Sequence, residues 1–207
     1  MKRELDISNW NRKEHFEFFS QFDEPFFSIN CTIDVTFAYD KATELQIPFF
    51  TYYLHKSLEA VNLIENFKYR IKDEKVIIYD IIHVSSTIIR EDKTFGFSFM
   101  KYDDNIFEFN RTVQKEITRI QNTSGLLTTS YPENIIHFST IPWINFTGLT
   151  HARNYKHPDS CPKISFGKLI NKGHKKKMNI SVAAHHALVD GYHIGLFIEK
   201  LQELLTT

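Results

Sequence analysis

The stretch AAHHALVDGYHIG, residues 183–195, places three histidines and one aspartate around a glycine. Residues 180–184, at its start, have the composition of a strand, so His185 and His186 are expected to point to opposite faces of a sheet. Gly191 supplies backbone freedom for a turn, and the apolar spacing after it predicts a helix. The stretch is therefore predicted to join a strand to a helix, with polar side chains at the junction.

The residues alone leave three interpretations of His186, Asp190 and His193 open. They can be hydrogen-bonded polar residues of a turn. They can ligate a metal ion, although their spacing matches no familiar zinc or iron motif. His186 can also be a general base, with Asp190 holding the junction in shape, because an ordinary histidine titrates near neutral pH and loops on rigid scaffolds carry many reactive groups.

Length, charge and cysteine content limit the classes of protein to which the chain can belong. The 207 residues suit one hydrophobic core, so we expect a single domain over residues 1–207. With 25 basic and 25 acidic side chains, no strong field favours binding to nucleic acid or to an anionic membrane. Cys31 and Cys161 match no disulfide framework, and the start MKRELDISNW lacks an apolar signal core. A cytoplasmic location is expected.

Helical and extended patterns alternate along the chain. Apolar spacing predicts helices from near Arg12, capped by Asn9 or Asn11, over residues 37–45, from Pro48, from Asn105 and over residues 194–205. Strands are predicted at FFSINCTIDVT, NFKYRI, KVIIYD, SSTIIR, TFGFSFMKY, IIHFSTIPWINF, KISFGKLI and KKMNISVAAHH. The four consecutive strands from NFKYRI to TFGFSFMKY are predicted to form an antiparallel meander. Together the elements predict an α/β two-layer sandwich with a mostly antiparallel mixed sheet.

HHALVDGYHIG resembles the HHxxxDGxH signature of the chloramphenicol acetyltransferase family. Three more stretches resemble that family and follow its order, namely DISNWNRKEHFEFF, PENIIHFS and STIPWINF. The resemblance spans both ends of the chain. It implies the CoA-dependent acyltransferase fold and transfer of an acetyl group from acetyl-CoA to a hydroxyl of chloramphenicol, which gives antibiotic resistance and uses no metal.

The resemblance also implies roles for four residues. His186 matches the general base that takes the proton of the attacking hydroxyl, so no acyl-enzyme is needed. Ser139, in STIPWINF, matches the serine that stabilises the oxyanion of the tetrahedral intermediate. Asp190 matches an aspartate that pairs with an arginine, here Arg12, and does not act on the substrate.

Further residues are implied in binding. KISFGKLI resembles a family strand whose hydroxyl residue, here Ser165, contacts bound solvent or substrate and whose lysine, here Lys168, approaches a CoA phosphate. The acceptor pocket is expected to include aromatic rings at Phe18, Phe19 and Phe95. The family also implies a homotrimer with active sites at subunit interfaces.

The acceptor pocket departs from the family pattern. Phe19 stands where the family has a tyrosine, and Asp23, His151 and Arg153 stand where it has apolar residues. A buried charge is costly unless it is paired, so these residues either point outward or serve a more polar acceptor. Two alternatives to chloramphenicol acetylation follow, namely transfer to another alcohol or amine, and a protein that binds CoA esters or small molecules without turnover.

Overall fold

The computed structural model describes residues 1–127, 130, 132–157 and 159–207. Its strands are β1 Lys2–Glu4, β2 Phe26–Asp34, β3 Tyr69–Lys72, β4 Lys75–Tyr79, β5 His83–Ile89, β6 Phe95–Phe97, β7 Ile135–Thr140, β8 Lys163–Phe166, β9 Ile170–Lys172 and β10 Lys175–His185. Its α-helices are α1 Lys13–Phe19, α2 Thr36–Glu44, α3 Phe49–Leu63, α4 Ile106–Gln121 and α5 Gly191–Leu204.

The strands form two sheets. The larger has the order β2-β10-β8-β7-β5-β6, with β9 also paired to β10, and the smaller has the order β1-β4-β3. All pairs are antiparallel except β5 with β7 and β7 with β8. The predicted mixed and mostly antiparallel sheet is therefore confirmed.

The predicted antiparallel meander is wrong. β3 and β4 form a hairpin in the small sheet, whereas β5 and β6 belong to the large one. The chain leaves β4 and places β5 parallel to β7, with His83 opposite Ile135, more than fifty residues further along. A local pattern of alternating residues indicates a strand but carries no information about such a distant partner.

Two predicted strands are shorter than expected. β7 stops at Thr140, because the next residues turn away and Pro142 has no N–H to donate to a neighbouring strand. KISFGKLI divides into β8 and β9, because Lys168 donates its N–H to the carbonyl of Ile144 rather than to a strand. The predicted cap of α1 is also wrong, since Arg12 occupies the N-cap position and makes no side-chain capping bond.

The helical layer packs around α3, which contacts α2, α4 and α5. Leu54, Leu58 and Val61, three of the apolar positions that predicted this helix, are fully buried. α2 and α5 in turn contact β10 and β2. In the described part of the chain, no helix is long and apolar enough to cross a membrane.

Candidate active site

The junction between β10 and α5 is built as the sequence predicts. β10 ends at His185 and α5 begins at Gly191. The carboxylate of Asp190 accepts hydrogen bonds from the N–H groups of Tyr192, at 3.0 Å, and His193, at 3.4 Å. Nδ1 of His193 accepts the N–H of Asp190 at 3.2 Å, which completes a capping box. His193 therefore serves the turn.

An ion pair joins this junction to the start of the chain. Arg12 is 8% exposed, and its Nη1 donates to the carboxylate of Asp190 while Nη2 donates to the carbonyl of His186 at 3.4 Å. Burial would raise the pKa of Asp190, but the hydrogen bond from Arg12 and the nearby positive charges outweigh it and lower the value. Asp190 is therefore a carboxylate near neutral pH, as the pairing with Arg12 requires.

His186 is held by backbone and ring contacts. Its N–H donates to the carbonyl of Pro25 at 2.8 Å. Its ring stacks on Phe19, with the ring centroids 3.9 Å apart and the planes 2° apart, and contacts Phe27 with the centroids 4.4 Å apart. Its Nδ1 is buried and has no hydrogen-bond partner among the described residues. Nδ1 is therefore closed to a ligand, which leaves Nε2 as the other ring nitrogen.

The side chains of His185 and His186 have different neighbours, as expected if they point to opposite faces of the sheet. Its ring packs against Phe26 with the centroids 5.5 Å apart. Burial, together with the charge of Arg153, lowers the pKa of His185 to about 4. The two histidines therefore occupy different environments.

Ser139 and Ser165 lie opposite each other on β7 and β8, with their hydroxyl oxygens 2.6 Å apart. Ser165 is fully buried and also faces Ser181 on β10. His186 lies five residues beyond Ser181, about 16 Å along the strand direction at the usual rise of about 3.3 Å per residue. Ser139 and His186 of one chain therefore cannot contact the same reacting group.

The other predicted binding residues are dispersed. Phe95 lines a cavity of about 490 Å³ beside the end of β7. Trp143, which is 66% exposed, lines the same cavity but was not singled out from the sequence, although it lies within the motif STIPWINF. Phe18 is 59% exposed and contacts Phe19, and Lys168 is exposed between β8 and β9.

His151 and Arg153, which the sequence left as outward or acceptor-facing, point inward. They line a cavity of about 130 Å³ whose other lining residues are Glu24, Phe26, Ser28, Thr150, Lys163 and Ala183. Asp23 is exposed. No group of three or more histidine, cysteine or acidic side chains in the described chain is arranged to hold a metal ion.

A mixed sheet backed by helices, with a histidine at a strand-to-helix junction that an arginine–aspartate pair holds in place, agrees with the CoA-dependent acyltransferase fold that the resemblance implies. The family model described as chloramphenicol acetyltransferase matches residues 2–202, and the chain belongs to that family of acetyltransferases. Chloramphenicol acetyltransferase 3 of Escherichia coli is 29% identical over 203 residues, covering 97% of this chain and 95% of that protein. Chloramphenicol acetyltransferase 2 of Haemophilus influenzae is 27% identical, covering 96% of this chain and 94% of that protein.

Solved structures agree with the assignment. One titled chloramphenicol acetyltransferase superposes with a TM-score of 0.90 at 30% identity and covers 99% of this chain and 100% of its own. A probable dihydrolipoamide acetyltransferase from Listeria monocytogenes has a TM-score of 0.70 at 13% identity, covers 93% of this chain and 88% of its own, and shares the fold alone. The resemblance predicted from the sequence is confirmed.

Proposed function

We propose that this protein transfers the acetyl group of acetyl-CoA to a hydroxyl of chloramphenicol, with His186 as the general base. The observation that carries the proposal is the fixed position of the His186 ring, which stacks on Phe19 while Arg12 binds both Asp190 and the His186 carbonyl. The names and full-length similarity of the relatives support chloramphenicol as the acceptor to test first. Antibiotic resistance would follow, because the acetylated hydroxyl is chemically changed.

In the proposed reaction Nε2 of His186 takes the proton of the acceptor hydroxyl as its oxygen attacks the thioester carbonyl. The new C–O bond forms and the carbonyl π pair moves onto oxygen, giving a tetrahedral oxyanion. When that pair returns, the C–S bond breaks and the thiolate of CoA leaves with the electron pair. It then takes the proton from His186, which gives free CoA and restores the neutral ring.

Ser139 is proposed to donate a hydrogen bond to the oxyanion. For its hydrogen to be available, Ser165 has to be the donor in the 2.6 Å contact between the two hydroxyls. Full burial of Ser165 supports this arrangement, since no bulk water competes for its hydroxyl. Removing one oxyanion donor commonly slows an enzyme about a hundredfold or more.

The distance between Ser139 and His186 supports active sites that lie between two subunits, and we propose the homotrimer that the family resemblance implies. His186 of one subunit would then face Ser139 of its neighbour. Two inactive variants test this idea, because subunits with His186→Ala and subunits with Ser139→Ala would together form some interfaces that keep both groups. Coexpression should recover part of the activity, whereas each variant alone should have almost none; no recovery in mixed trimers would contradict the shared site.

The cavity of about 490 Å³ lined by Phe95 and Trp143 is proposed to hold the pantetheine arm of acetyl-CoA. This proposal assigns Phe95 to the CoA site, whereas the family resemblance implies that its ring belongs to the acceptor pocket. Thr140, the last residue of β7, also lines this cavity, so the proposed CoA site adjoins the end of the strand that carries the proposed oxyanion donor. Exposed Lys168 is proposed to reach a CoA phosphate.

The chain is proposed to act as one domain over residues 1–207, because the Arg12–Asp190 pair joins its two ends. A cytoplasmic location is also proposed. It is supported by Cys31 and Cys161, which are both free thiols, as is typical of a reducing compartment.

Mass spectrometry tests the function directly. Chloramphenicol incubated with acetyl-CoA and the purified protein should gain one acetyl group, and the His186→Ala variant should leave it unchanged. The inward position of His151 and Arg153 favours a second candidate, which is the same reaction on a more polar acceptor. Acetylation of another alcohol but not of chloramphenicol would replace the first acceptor by the second.

A further inference from the structure

The small cavity at Arg153 contains hydrogen-bond donors with nothing to bind. Nε and Nη1 of Arg153 and Nε2 of His151 are buried and have no partner within the part of the chain that the structure describes. The Arg153 side chain is only 10% exposed, and its guanidinium carbon lies 3.3 Å above the ring centroid of Phe26. Burying a charged group without its hydrogen bonds costs free energy. A ligand that brings hydrogen-bond-accepting oxygens to these nitrogens would therefore bind favourably.

The acidic groups nearby do not fill this need. Asp159 contacts Lys163 at 2.9 Å and reaches Nη2 of Arg153 only at 3.9 Å. Glu24 accepts hydrogen bonds from the hydroxyl of Tyr155 at 2.8 Å and from the N–H of Phe26 at 3.0 Å. Both carboxylates are thus engaged elsewhere, and two guanidinium N–H groups remain unpaired.

His151 adds a neutral donor to the same cavity. Burial, followed by the charge of Lys163, lowers the pKa of His151, so its ring is uncharged near neutral pH and carries one N–H. A hydrogen on the buried Nε2 would point at a ligand beside Arg153. The cavity therefore offers donors from two side chains.

The cavity lies close to the proposed oxyanion donor. Lys163 and Ser165 are two residues apart on β8 and share one face of the sheet, so their positions differ by about 6.6 Å along the strand. Ser165 contacts Ser139, and Lys163 lines the cavity. An acceptor whose hydroxyl reacts at Ser139 would thus place a group one benzene ring away into this cavity.

We propose that this cavity binds the carboxylate of the acceptor, so that the preferred acceptors are hydroxyl compounds with a carboxylate about one aromatic ring away from the reacting hydroxyl. Arg153 would bind the two carboxylate oxygens side by side through Nε and Nη2, the geometry that guanidinium groups favour, since Nη2 makes only the 3.9 Å contact with Asp159. His151 donates a further hydrogen bond. This inference rests on the proposed acetyl transfer and names the class of substrate for that site.

Two acceptors that differ only in the charge of one group test whether the cavity selects a carboxylate. We expect kcat/KM for para-(hydroxymethyl)benzoate to exceed that for the neutral para-(hydroxymethyl)benzamide by about tenfold or more. A hydrogen bond between charged groups commonly strengthens binding by at least this factor. Arg153→Leu should remove this preference and Arg153→Lys should keep part of it. Lys115→Leu, which removes an exposed charge on α4, should retain the full preference. An equal preference in the wild type and in Arg153→Leu overturns the inference.

A binding assay separates the pocket from the chemistry. The anion para-methylbenzoate has no hydroxyl to acetylate, and it should raise the melting temperature of the wild type but not of Arg153→Leu. Stabilisation that depends on Arg153, with no acetyl transfer to any alcohol, would reject the proposed function and keep the pocket. Acetyl transfer without such stabilisation would keep the function and reject the pocket. Far-ultraviolet circular dichroism and the melting temperature without ligand report whether Arg153→Leu is folded.

Discussion

Arg12 and Asp190 form an ion pair although 178 positions separate them in the chain. The arginine is 8% exposed, and it also binds the carbonyl of His186. The same aspartate caps α5, so one carboxylate links the first helix, the last helix and the loop that carries the proposed base. The position of the His186 ring therefore depends on a contact that forms only when both ends of the chain are folded.

Replacing Arg12 with methionine should destabilise the protein by about 3 kcal/mol, because it leaves the partly buried Asp190 without its counter-ion. Urea unfolding measures the change, and the rate of acetyl transfer should fall with it. Lys13→Met, which removes an exposed charge at the next position, should change the free energy of unfolding by less than about 0.5 kcal/mol. Equal stabilities for the two variants would show that the pair does not support the junction.

Ser165→Ala should reduce kcat and leave KM for the acceptor nearly unchanged. The Ser165 hydroxyl is buried against Ser139, so we propose that it orients the hydroxyl of Ser139 instead of contacting solvent or substrate, as the resemblance implies. Ser165→Thr keeps the hydroxyl and should recover most of the rate. The matched control is Ser181→Ala, since the Ser181 hydroxyl is buried on the neighbouring strand and has no partner among the described residues. A loss as large in Ser181→Ala as in Ser165→Ala would indicate a packing effect instead.

His185 should make stability depend on pH. Its pKa is about 4 in the folded protein, against an ordinary value of 6.5, so the unfolded chain binds more protons between these values. The free energy of unfolding should therefore be highest above about pH 6.5 and should fall as the pH decreases toward 4. Chemical unfolding in a series of buffers measures this slope, which His185→Gln should flatten. An unchanged slope in the variant would assign the dependence to other groups.

Trp143→Ala should raise KM for acetyl-CoA more than KM for the acceptor, because the indole lines the cavity proposed for the pantetheine arm. Loss of this aromatic contact should cost about tenfold in KM. Phe107→Ala, which removes another exposed ring at the start of α4, serves as the control and should leave both constants unchanged. A rise in KM for the acceptor alone would show that acetyl-CoA does not bind in this cavity.

Local patterns predicted much of this structure. The turn at Gly191, the start of α4 after Asn105 and the buried face of α3 each depend on residues a few positions apart, so apolar periodicity and turn chemistry could reveal them. The pairing of β5 with β7 could not be found in this way, because distant residues decide it. Family resemblance, not spacing, predicted that Arg12 meets Asp190.

In the candidate site, too, the sequence predicted some features and only the folded chain revealed others. The sequence identified His151 and Arg153 as departures from an apolar pocket, but only the folded chain reveals that they point inward with unpaired nitrogen atoms. It also reveals that Ser139 and His186 of one chain lie far apart, since that distance follows from the register of three strands.

The release of free CoA thiol from acetyl-CoA tests the central claim most directly, with chloramphenicol and para-(hydroxymethyl)benzoate each offered as acceptor. We predict release that requires an acceptor, that falls at least about a hundredfold in His186→Ala, and that is unchanged in His15→Ala, an exposed histidine on α1. Acceptor-dependent release at the wild-type rate in His186→Ala would contradict the assignment of His186 as the general base.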